Sequence, residues 1–174
     1  MLLMVCATAG LLHVDLPAFS DRLPGGALGA YTGHLLESNL GVVGANILGK
    51  ELPCDLTTPD PIDMHRLFAE AVKDGCEYVA MEVSAHAIHY NKTNGVTADI
   101  AIFTNLSQDH LDFFGTMEKY SATKYSYFEE KNCRLAIVNI DDDMGLKIYR
   151  NIDMPIKTYG LNNPCDTFAV DIEY

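Results

Sequence analysis

The chain has 174 residues, 48% of them hydrophobic, and a formal net charge of −12. That size and apolar content suit one domain with a buried core and exclude a disordered tail. No apolar run approaches the ~18 residues of a membrane helix, and so acidic a surface repels nucleic acid.

Five cysteines, Cys6, Cys54, Cys76, Cys133 and Cys165, are scattered without a Cys-x-x-Cys pair. They read as reduced thiols, not as a disulfide frame or a zinc site. Residues 1–12 are apolar but carry no basic flank, which disfavours a signal peptide and gives a cytoplasmic expectation.

The first fifty residues hold few anchors. Pro24 to Gly33 is rich in glycine, and Leu35 to Val43 reads as a helix end running into a strand. Gly44 to Lys50 has the spacing of a phosphate-binding loop up to its lysine. Glu51, Leu52 and Pro53 follow, so no helix opens there, and the stretch reads as a chance match or a hairpin turn.

From residue 60 onward strands and helices alternate. Asp60-Pro61 is a cap followed by a first-turn proline, and Met64, Leu67, Phe68, Ala71 and Val72 recur at helical spacing, with Gly75 placed to end the helix. Tyr78 to Val83 and Asp99 to Thr104 read as buried strands, and Met117 to Glu130 as a helix opened by Thr116. Leu135 to Ile140 is a further strand, followed by a helix over Met144 to Arg150 and strands at Ile156 to Tyr159 and Phe168 to Ile172. This alternation predicts an α/β fold with a mostly parallel sheet flanked by helices.

In such sheets ligands bind beyond the carboxyl ends of the strands, where three polar clusters fall. Glu82 closes an apolar run ahead of Ser84 and His86; it is either a solvated strand end or a paired or metal-bound carboxylate. Asn105, Asp109, His110 and Asp112 follow the next strand; they suit a capped turn or a magnesium site built from few protein ligands. Lys124 falls on the apolar face shared by Met117, Tyr120, Tyr127 and Phe128. It either snorkels outward or points inward for chemistry. Thr57 and Thr58, before the helix start, are caps or hydroxyls for an anion or sugar. A phosphohydrolase built on Glu82, Asp109 and His110 would leave Lys124 and the threonines without a role.

The segments TTPDP at 57–61, AMEVSAHAI at 80–88, FTNLSQDHLDFFGTMEKYSATK at 103–124 and IVNIDDD at 137–143 together resemble the Mur ligase family, and its muramoyl-tripeptide synthetases in particular. The resemblance runs from about Leu56 to Tyr159. It implies a P-loop-NTPase-like central domain over 51–174, with 1–50 a divergent N-terminal part lacking the phosphate-binding loop. It also implies an ATP-dependent acid–amino acid ligase of peptidoglycan precursor synthesis. Such an enzyme adds the third amino acid to UDP-N-acetylmuramoyl-dipeptide through an acyl phosphate. On this resemblance Thr57, Thr58, Ser84 and Lys92 bind the dipeptide substrate, Asn139 and Asp142 lie by the nucleotide, and Glu82 and His110 ligate Mg²⁺. Lys124 becomes the lysine that takes up CO₂ as a carbamate and helps bind a second Mg²⁺. The implied partners are the muramoyl dipeptide and an amino acid, with no nucleic acid and no membrane.

Three departures from the family pattern bear on activity. No Gly-Lys-Ser/Thr loop occurs in the sequence; residues 9–15, where it is expected, read Ala-Gly-Leu-Leu-His-Val-Asp. Lys92 stands where many members carry arginine, which keeps the charge and gives up a bidentate grip. The flanking domains that bind uridine and select the incoming amino acid have no counterpart in these residues. The expectation is a fragment with little ligase activity alone, the alternative being a non-catalytic remnant or a muramoyl-peptide-binding module.

Overall fold

The structure is a computed structural model and describes residues 2–7, 44–47, 50–53, 56–76 and 78–168. The readings at Ala9–Asp15, Pro24–Gly33 and Leu35–Val43 lie outside the described residues.

Six strands form the main sheet. In chain order the elements are β1 (Leu2–Ala7), β2 (Gly44–Ile47), β3 (Lys50–Pro53), α1 (Pro61–Lys73), β4 (Tyr78–Glu82), α2 (Ala85–His89), β5 (Ala98–Phe103), α3 (Leu111–Phe114), α4 (Met117–Tyr125), β6 (Cys133–Asn139), α5 (Asp143–Asn151), β7 (Ile156–Gly160) and β8 (Thr167–Phe168). The sheet order is β4-β1-β5-β6-β7-β8. β5 to β8 run parallel, the arrangement that alternating strands and helices predict. β2 and β3 pair antiparallel on their own, Ile47 opposite Lys50, so the described residues of the stretch with phosphate-loop spacing lie in paired strands.

β1 departs from the parallel pattern. It sits between β4 and β5 and is antiparallel to both, with Leu3 opposite Glu82 and Leu2 opposite Phe103. Its amino end therefore lies at the carboxyl edge of β4 and β5. Its carboxyl end, Ala7 opposite Tyr78, lies at the other edge.

The helix boundaries follow local chemistry. Asp60 occupies the cap position of α1 ahead of Pro61, without a side-chain capping bond. At the other end the Gly75 N–H donates to the Val72 carbonyl and the Cys76 N–H to the Ala71 carbonyl, a Schellman closure that uses the positive φ of 82° at Gly75. α4 stops at Tyr125, short of the predicted Glu130. Thr123 and Ser126 turn their hydroxyls onto the Lys119 and Thr123 carbonyls, and Asn132 takes the Ser126 carbonyl. Such back-bonds compete with helix propagation. Tyr127 and Phe128 still enter the core, from the turn after the helix.

The core lies against β5 and β6. Ala101, Phe103, Ala136 and Val138 are fully buried and pack with Val83, Tyr127, Phe128, Met144 and Ile148. Burial of strands on both faces gives their continuous apolar runs and leaves the strand ends as the place for polar work.

Candidate functional site

Thr58 and Ser84 meet where the segment before α1 crosses the end of β4. Thr58 is 3% exposed. Its hydroxyl donates to the Glu82 carbonyl at 3.0 Å and accepts the Ser84 N–H at 3.0 Å. The Ser84 hydroxyl, 3.4 Å from that of Thr58, accepts the Ala87 N–H and caps α2. Lys92 forms an ion pair with Asp60 at 2.6 Å. Thr57 beside them is exposed. The structure thus gathers Thr57, Thr58, Ser84 and Lys92 around one crossing. Thr58 and Asp60 act there as staples, a role that sequence did not assign to either.

His110 sits on the loop after β5 in the left-handed region, φ 52°. That conformation is uncommon outside glycine and is stored strain of about 1–3 kcal/mol. The Asp109 carboxylate accepts the His110 N–H at 2.8 Å and lies 3.3 Å from Nε2. The imidazole meets the edge of His86, ring centroids 4.7 Å apart, and faces Tyr120 at 6.2 Å. Burial, and then the neighbouring His110, push the His86 pKa down. Lys124 places its Nζ 5.1 Å from the Tyr120 ring centroid. Lys124 is 6% exposed, so its side chain is buried and does not snorkel to the surface. The Tyr120 ring thus neighbours both His110 and Lys124.

Glu82 is exposed at the end of β4. Among the described residues no three His, Cys, Asp or Glu side chains converge into a cage. Magnesium takes oxygen ligands, keeps most of its water shell and needs only one or two ligands from the protein, so it does not require such a cage.

Asn139 ends β6, and its amide donates to the Thr104 carbonyl at 2.9 Å. Asp142 caps α5 by accepting from Met144 and Gly145 and also accepts the Leu106 N–H at 2.9 Å. Asp141, passed over in the sequence, accepts the N–H groups of Leu161, Asn162 and Asn163 and both asparagine amides. The Leu161 N–H leads the donors that hold its carboxyl below the usual range. A row of three aspartates between a strand and a helix was the available signal for this role.

Residues 30–174 match the family model described as the Mur ligase middle domain. The chain is 38% identical over 141 residues to a UDP-N-acetylmuramoyl-L-alanyl-D-glutamate--2,6-diaminopimelate ligase of Geobacillus thermodenitrificans, covering 77% of this chain and 29% of that protein. It is 43% identical over 109 residues to the protein of the same name from Coxiella burnetii, covering 63% and 22%. A solved structure of a ligase of this name superposes with a TM-score of 0.66 at 30% identity, over 78% of this chain and 28% of that one. The chain therefore spans less than a third of the length of these relatives.

Proposed function

Because the chain belongs to the Mur ligase family and matches its middle domain, we propose that it is the ATP-handling part of an enzyme that adds 2,6-diaminopimelate to UDP-N-acetylmuramoyl-L-alanyl-D-glutamate. The amino acid is taken from the names of its relatives. In this reading ATP phosphorylates the dipeptide carboxylate. The incoming amine attacks the acyl phosphate, and phosphate leaves. The cytoplasm is the compartment this reading implies; among the described residues no helix is long and apolar enough to cross a membrane.

The observation that carries the reading is the convergence of two groups at the carboxyl edge of the sheet: Thr58 with Ser84, and His110 with Tyr120 and Lys124. Thr57, Thr58, Ser84 and Lys92 hold the muramoyl dipeptide, the Lys92 cation already being steered by Asp60. Glu82 and His110 bind Mg²⁺, which when bound neutralises phosphate charge. Lys124 accepts CO₂ as a carbamate, which turns a buried cation without a carboxylate partner among the described residues into an anion for a second Mg²⁺. Asn139 and Asp142 border the nucleotide. The ligand-handling part is 51–174.

Calorimetry on the whole chain tests this. UDP-N-acetylmuramoyl-dipeptide is expected to bind, and Ser84→Ala to weaken binding about tenfold by removing a hydroxyl and the cap of α2. No heat with the dipeptide sinks the reading. A carbamate carbon signal in ¹³C-bicarbonate, absent in Lys124→Met, checks the lysine separately.

A second reading, a muramoyl-peptide-binding module without catalysis, is favoured by one observation: no Gly-Lys-Ser/Thr loop occurs in the sequence. Dipeptide binding without Mg-ATP binding selects it; binding of both selects the ligase part. Either way, ligase turnover by this chain alone is expected to be slight.

A further inference from the structure

We infer that Asn139 and Asp142, beside the nucleotide, are also positioning residues, a two-point clamp that fixes the loop carrying His110. The inference rests on the proposed magnesium role of His110 and deepens it.

The two residues grip the same short segment from opposite sides of Asn105. Asn139 takes the Thr104 carbonyl at 2.9 Å, and Asp142 takes the Leu106 N–H at 2.9 Å. Their remaining polar atoms are engaged as well. The Asn139 oxygen accepts the Asp141 N–H at 3.0 Å. The second Asp142 oxygen accepts Met144 and Gly145 at 2.9 and 3.2 Å. Each side chain thus bonds the loop with one polar atom and its own strand end or helix start with the other.

The clamp is mounted on a rigid base. A Cβ at Gly145 would stand 1.8 Å from the Asn139 carbonyl oxygen, so the first turn of α5 is seated directly on the end of β6. Beneath it the Tyr159 hydroxyl donates to the Phe103 carbonyl at 3.3 Å. Burial and the Asp142 charge push that phenol up to about 12, so it stays a donor. Three contacts from β6, α5 and β7 thus converge on the backbone of residues 103–106. Four residues further on the chain enters its left-handed turn at His110. A loop held this way presents its side chains at fixed positions, which is what a weakly coordinated Mg²⁺ needs from its few protein ligands.

The test uses the whole chain and two readouts: amide hydrogen exchange, and Mn²⁺ as a paramagnetic stand-in for Mg²⁺ that broadens the His110 ring signals. Asp142→Ser keeps an oxygen to cap α5 but cannot reach Leu106. Asn139→Asp, a second variant, sets an oxygen against the Thr104 carbonyl. The expected result is exchange at 105–110 about tenfold faster or more, with Met144 and Gly145 changed less than about twofold, and Mn²⁺ affinity about tenfold weaker. Unaltered exchange at Leu106 in both variants overturns the clamp. Faster exchange with unchanged Mn²⁺ affinity overturns its positioning role. A wild-type chain whose His110 ring Mn²⁺ does not broaden overturns the magnesium reading instead, and exchange alone then decides the clamp.

Discussion

The segment Asn139–Asp142 and the segment Asp109–Asp112 are similar in composition and sit at the same edge of the sheet, yet they behave oppositely. In the first, carboxylates and amide are bonded to backbone groups of neighbouring segments. In the second, Asp109, His110 and Asp112 stand exposed, with one histidine held in a strained turn. The difference teaches that acidic residues at a strand end are not by themselves a ligand site. One cluster is construction and the other is offered to solvent, and only hydrogen-bond partners tell them apart.

The sharpest way to break this contrast is Gly145→Ala. The added methyl has no space against Asn139, and a loss of about 3 kcal/mol or more is expected in urea denaturation. A mild effect would mean that the base of the clamp is soft. Next is Thr58→Val, which strips the Glu82 carbonyl and the Ser84 N–H of their partner at about 2 kcal/mol. Thr57→Val, on the exposed neighbour, should stay within about 0.5 kcal/mol. Equal effects would erase the distinction between staple and offered hydroxyl.

On the offered side the sign reverses. His110→Gly relieves the left-handed backbone and should leave stability unchanged or raise it by about 1 kcal/mol, net of glycine's entropy. It should also abolish Mn²⁺ binding. The smallest effect is the pH dependence of Asp141 and Asp166. The leading donors are the Leu161 N–H to the first and the Thr158 N–H to the second, and both carboxyls lie below their ordinary value of 3.8. A depressed folded pKa means that the contribution is fully present above that value and is lost as pH falls through the folded values beneath it. Acid denaturation of Asp141→Ala should therefore be less steep below pH ~4 and unchanged in steepness between pH 5 and 7.

Much of the frame was legible in the sequence. α1 between Asp60 and Gly75 and the apolar runs of β4, β5 and β6 follow from period and punctuation, because burial on one or both faces writes itself into residue type; the place of Lys124 on the apolar face was legible, but its direction was not. The end of α4 was not legible, since Ser126 and Asn132 end it through bonds that periodicity does not register. Nor was the division of labour among Asn139, Asp141 and Asp142. A carboxylate that ties loops and one that binds a ligand are the same residue type, and the partners lie up to 36 positions away. β1 carried no sign of its direction at all, because an apolar run paired on both edges looks the same either way round.

That direction has a consequence for how the chain is made. Residues 2–7 fill the gap between β4 and β5, strands that emerge only after most of the intervening chain has been synthesised. The first strand must wait, unpaired, for partners far downstream, and pairing across such separations is slow. Removing it would bare two inner edges at once, and unpaired edges invite other chains. The six-residue β1 is thus the keystone of the sheet, joining β4 to β5.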